Sequence, residues 1–185
     1  MSVGSFATLK SAVISASVAK SWGAAVLEWD IVSVEEDPTG EGECVCGQLH
    51  LVHLFTIQNR RNHAALYPIG SVCINRFGVA DLDYEVSILP GLWKLRDAIR
   101  KRTPIVLSSD WFSRSMLAYL YDNGAFTPDQ WNGNDGVRDY DFLLDMFNKR
   151  IKDNITNAQN RKISVLLNTK VLPFLESDTR LNKER

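Results

Sequence analysis

Cysteine, histidine and proline are scarce in this chain: three, three and six residues respectively out of 185. Charge of one sign is also lacking, since 21 basic residues nearly balance 22 acidic ones and the net charge is −1. No global basic field therefore exists to draw the chain onto nucleic acid, and any such contact has to come from local patches. Long apolar runs are missing too. No stretch reaches the roughly 20 residues that span a bilayer, so no membrane partner is expected. Met1 to Ala19 has neither a basic start nor an uninterrupted apolar core, which reads as a chain without a secretory leader. A cytoplasmic protein is the expectation. Thiols stay reduced in that compartment, so the three cysteines point to metal binding or plain burial before disulfides.

Familiar catalytic signatures are absent as well. The sequence holds no phosphate loop, no G-x-G-x-x-G and no Ser-His-Asp order. It has no H-E-x-x-H and no H-x-E…P-C-x-x-C pattern, the arrangements that place a general base beside catalytic zinc. All three histidines fall within one short segment, leaving the C-terminal half without an obvious base. A non-catalytic role is the first expectation.

What is present is an ordinary globular composition, 45% hydrophobic and 23% charged, long enough to bury a core without disulfides. Residues 5–28 carry a helical spacing through Phe6, Leu9, Val13 and Ala16, extended by Trp22, Val26 and Leu27. Glu28 to Glu36 has the β-branched and aromatic character of a strand. After the turn cluster Asp37-Pro38-Thr39-Gly40 come a strand from His50 to Asn59, a polar tip Asn59-Arg60-Arg61-Asn62, and a returning strand from Ala64 to Ile69. Helices are expected from Pro90 to Arg102, from a cap at Ser109 through Leu120, from Asp139 to Arg150, and from Thr156 until Pro173. Thr156 with Gln159 forms a capping box. The loop from Asn132 to Asp139 does not keep the order of a calcium loop, and Asp139 reads as a helix cap. Trp131, beside Pro128 and Asn132, reads as an exposed ring.

The chemistry concentrates in C44-V-C46-G-Q-L-H50-L-V-H53, followed by 19 residues and then Cys73. Zinc takes four sulfur or nitrogen donors in a tetrahedron. A Cys-x-Cys pair followed by glycine forms a knuckle that aims two sulfurs at one ion, and Gly47 turns the backbone without a Cβ clash. The hairpin then brings Cys73 back as a third ligand. His50 and His53 are the near candidates for the fourth. They would lie on opposite faces of one strand, and His50, closer to the knuckle, is preferred. The competing reading is three buried, inert cysteines, but their grouping within 30 residues argues for metal.

The stretch C-V-C-G…H-L-F-T-I-Q-N-R-R-N…L-Y-P-I-G-S-V-C-I-N-R-F-G resembles a zinc-binding hairpin of uncharacterised bacterial and phage proteins, of pattern C-x-C-G…G-S-x-C-I-x-x-F. The resemblance covers residues 44–78. It implies a structural zinc ion on Cys44, Cys46, Cys73 and His50, and says little about activity.

Arg60 and Arg61 at the tip, with Arg76, are a candidate phosphate-contacting surface. Lys149, Arg150 and Lys152 form a second basic cluster that could extend it. The expected fold is α+β: a zinc-bound hairpin set against an N-terminal helix and strand, then a mainly helical half. The division expected is 1–89, containing the zinc hairpin at 44–78, then a helical region 90–176 and a flexible tail 177–185. The functional expectation is a zinc-stabilised module that contacts DNA, RNA or a bacterial protein complex. An inhibitor of a bacterial defence nuclease acting by protein contact is the alternative, and a small metalloenzyme the last.

Overall fold

The computed structural model describes residues 5–181 and is an α+β protein. Two compact units divide it: residues 1–90 with 179–185, and residues 91–178.

The first unit opens with α1 (Phe6–Ala16), capped by Ser5, whose hydroxyl accepts from the Thr8 amide. Leu9 and Val13 bury its inner face. The helical pattern continues to residue 28 in sequence, yet α1 stops at Ala16. The cause is polar. The Ser17 hydroxyl donates to the Val13 carbonyl at 2.7 Å and accepts from the Trp29 indole at 3.0 Å. The next two amides, Val18 and Ala19, donate to the Glu28 carboxylate at 2.9 and 3.0 Å. Those amides are thereby taken from a helical ladder. A short α2 (Trp22–Ala25) and one 3-10 turn then lead into the sheet.

Three antiparallel strands follow in the order β1 (Trp29–Glu36), β2 (His53–Asn59), β3 (Ala65–Ile69). Trp29 faces Asn59, Val34 faces Phe55, and Phe55 faces Ile69. An irregularity between Ile31 and Ser33 shifts the register. It turns both Ser33 and Val34 inward, and the Ser33 hydroxyl meets Thr56 Oγ1 at 2.8 Å. Phe55, Ile57 and Ile69 are fully buried and form the centre of this core. The expected strand from His50 begins only at His53, because His50 adopts a left-handed backbone, φ 65°. The polar tip forms where expected. Asn59 Oδ1 accepts from the Arg61 and Asn62 amides, and His63 takes the left-handed position, φ 59°.

A short α3 (Ser71–Asn75) precedes α4 (Ala80–Arg100), within which the division between units falls after Pro90. Proline was expected to open this helix but lies inside it. Asp81 and Asp83 occupy the first turn instead. Val86, Ile88 and Leu89 before the proline, and Leu92 and Leu95 after it, are all buried. That burial outweighs the roughly 3 kcal/mol a helix-interior proline costs. A 3-10 turn, Thr179–Leu181, lies against β1 with Leu181 buried, and Arg180 pairs with Glu85 at 2.9 Å. Residues 182–185 of the expected tail lie outside the described residues.

The second unit holds α5 (Arg114–Asp122), α6 (Val137–Asn148), α7 (Asn157–Leu166) and α8 (Leu172–Ser177). Ser113, not Ser109, caps α5 by accepting from the Met116 amide at 3.1 Å. The Thr156 capping box is complete, with both reciprocal bonds formed. Pro173 does not end the helical path. A π-helical stretch over Leu167–Val171 precedes it, a wider turn that absorbs the missing donor, and Pro173 falls in the first turn of α8.

The loop before α6 is tied by one side chain. Buried Asn132 accepts from the Asp129 and Asp135 amides and donates to the Thr127 carbonyl and to Asp139 Oδ2. Asp139 is itself buried inside α6 and also meets Lys162 at 3.6 Å, so it does not cap the helix. Trp131 stands on this loop 85% exposed. Among the described residues no helix is long and apolar enough to cross a membrane.

Candidate metal centre

The knuckle forms because the chain reverses over four residues. The Gly47 amide donates to the Cys44 carbonyl at 2.7 Å, and Gly47 sits at φ 85°, where a side chain would be strained. Two further bonds fix this turn to the rest of the unit. Val45 donates to the Pro68 carbonyl at 2.9 Å, and Ser5 donates to the Cys46 carbonyl at 3.0 Å. Pro68 belongs to β3, so the knuckle is anchored on the strand that leads directly into α3 and Cys73.

Cys44, Cys46 and Cys73 are all buried and all free. Their sulfurs lie within 4.8 Å of one another. Cys73 Sγ is 3.6 Å from Cys44 Sγ and 3.3 Å from Cys46 Sγ. These separations are far longer than the S–S bond of about 2.05 Å, so no disulfide joins them. The Gly70 amide donates to Cys44 Sγ at 3.3 Å. The pKa of the Cys44 thiol is lowered to about 5, first by its hydrogen bond with Cys73 and then by the backbone amides of Cys46 and Gly70. The Cys73 thiol is pushed up by that same bond and by burial.

The three cysteines are a possible metal site. His50 does not join it. The cysteines and His50 line one cavity of about 240 Å³, but the His50 ring nitrogen Nδ1 lies 3.3 Å from the Gly40 carbonyl. No histidine or carboxylate among the described residues comes within 4.8 Å of all three sulfurs. His53 is exposed at the start of β2, and His63 is exposed at the tip.

The basic residues take other places. Arg60 Nε pairs with Asp30 at 3.5 Å, and its guanidinium also donates to the Leu27 carbonyl. Arg61 pairs with Glu28 at 3.5 Å. Arg76 stands over the Phe6 ring at 5.8 Å. Lys149 donates to the Asn154 carbonyl and Gln159 Oε1, and Lys152 to the Met146 and Phe147 carbonyls. Burial pushes the Lys152 ammonium below its ordinary value. Arg150 is exposed. The tip arginines thus make surface ion pairs while their side chains stay 58% and 64% exposed.

Sequence reasoning missed Glu28, the residue that holds the tip in place. It is buried, and it accepts from Val18, Ala19 and Asn59 and pairs with Arg61. The Asn59 amide, those backbone amides and Arg61 keep its carboxyl below the usual range against the cost of burial. A single acid between Leu27 and Trp29 was the available signal. Comparison of the chain with family models, curated proteins and solved structures gives no match.

Proposed function

We propose that the chain is a non-catalytic binding module. In this reading a structural zinc ion, held by Cys44, Cys46 and Cys73, closes the first unit, and the module works by protein contact. The observation that carries it is the convergence of three buried, unoxidised thiols from two segments, with sulfurs 3.3 and 3.6 Å apart. Three sulfurs packed together without a bond or a cation gain little, whereas a divalent ion draws off their protons and binds them strongly. The ion would clamp the 44–47 turn to α3 beside the three-stranded sheet.

Protein contact is favoured over nucleic acid by how the cations are used. Arg60 and Arg61 already face Asp30 and Glu28, and Lys149 and Lys152 face carbonyls. A phosphate would have to compete with those partners. Trp131, exposed on a loop pinned by hydrogen bonds, is the kind of rigid aromatic anchor that protein interfaces use. An inhibitor of a bacterial nuclease complex is one member of this class.

Metal analysis of the purified chain tests the reading. About one zinc ion per chain is expected, and a strong chelator should unfold the first unit rather than merely silence an activity. A chain purified without metal that keeps its fold in chelator overturns it.

A further inference from the structure

The metal reading leaves one tetrahedral position to account for, and this inference rests on that reading. The sequence holds three cysteines, all already in the cluster, and three histidines. None of the histidines lies within 4.8 Å of all three sulfurs: His50 lines the same cavity with its Nδ1 3.3 Å from the Gly40 carbonyl, and His53 and His63 are exposed and outside the lining. Beside the sulfurs lies the cavity of about 240 Å³, roomy enough for several water-sized groups and smaller than a typical drug-sized pocket. Leu49, Leu51 and Val72 give it apolar walls, and Arg76 lines it as its cation. Arg76 forms no ion pair among the described residues; its contact there is the Phe6 ring.

We infer that the fourth position on the metal is filled by a small thiol that carries a carboxylate, bound in the cavity beside the three cysteines. Sulfur is the donor that a metal already bound by three thiolates accepts readily. A thiol entering as its thiolate loses one proton to solvent and forms one metal–sulfur bond, with no change of oxidation state. The apolar walls suit its short carbon chain. The carboxylate gives the Arg76 guanidinium a planar, two-point partner. A bound water offers neither contact.

Cobalt(II) replaces zinc as a visible probe in the full chain, titrated with 3-mercaptopropionate and with 2-mercaptoethanol. Added sulfur-to-cobalt charge-transfer intensity should saturate, and the carboxylate-bearing thiol should bind about tenfold tighter, the worth of one charge-assisted hydrogen bond. Arg76→Gln should erase that preference and leave cobalt binding intact. If neither thiol changes the spectrum while His50→Ala does, His50 closes the site and the inference fails with the metal reading still standing. Thiol that strips cobalt from the chain defeats it likewise. No cobalt–thiolate bands in the protein alone would remove the metal reading itself.

Discussion

The two units are closed by different means. The first relies on contacts between distant segments: a sheet joining residues 29–36 to 53–69, a buried carboxylate reaching from Glu28 to Asn59, and three sulfurs from 44, 46 and 73. The second is built from helices whose stripes and caps are local. Thr156 caps its own helix, Ser113 caps another, and Asn132 ties residues no more than seven positions away. The first unit hangs several elements on single groups, whereas the ties of the second are spread over its helices, Lys170 reaching Thr127 and Asp129 among them. The first unit should therefore fail abruptly when one group is removed, and the second by degrees.

The largest effect should come from the sulfurs. Cys73→Ser is expected to abolish metal binding and unfold the first unit. Structural zinc contributes on the order of 10 kcal/mol in small zinc modules, comparable with the whole stability of a domain. Hydrogen exchange separates the two regions. Amide protection should vanish across His53–Asn59 and persist across Arg114–Asp122. Retained protection in both would mean that the thiols pack without closing anything.

Asn132→Ala is the counterpart in the second unit. It leaves the Asp129 and Asp135 amides without their acceptor and removes one donor from buried Asp139. A loss of about 3 kcal/mol is expected in denaturant unfolding, a fraction of the sulfur effect. A change within about 0.5 kcal/mol, typical of surface sites, would show that water replaces the amide and that the loop is not pinned.

How much of this was legible in the sequence follows the same divide. The cysteines could be read because a Cys-x-Cys-Gly turn is a local pattern, and the strands because alternation and a polar tip are local too. The Thr156 capping box was readable for the same reason. What escaped reading was set by side-chain partners and burial that the periodic pattern does not encode. The helical pattern through residue 28 ends at Ala16 because Glu28 captures the amides of Val18 and Ala19. Pro90 sits within a helix because apolar burial on both sides carries the helix through it. His50 looked like a ligand by nearness to the knuckle, yet its left-handed backbone and the Gly40 carbonyl set its ring. Asp139 looked like a cap and is instead a buried partner of Asn132 and Lys162.

The smallest of the three losses should come from Glu28→Gln, and its value lies in its pH dependence. Glutamine keeps one oxygen to accept from Val18 or Ala19, while its amide nitrogen faces the donors that the other oxygen served, so an acceptor goes along with the charge. Glu28 is held below its ordinary 4.5 in the folded chain. Its contribution is therefore fully present above about pH 4.5 and disappears as pH falls through the lower folded value. Other carboxylates, Asp37 and Asp129 among them, are also lowered, so both proteins should weaken in acid. The informative quantity is the gap between their melting temperatures. It should be widest above about pH 5 and should narrow as pH falls from the ordinary 4.5 through the lower folded value, where the native glutamate takes up its proton. A gap that stays constant through that range would mean that Glu28 acts by shape alone. The tip would then be held by the Asn59 and Asn62 turn bonds, and one of the non-local groups on which the first unit is argued to depend would be removed.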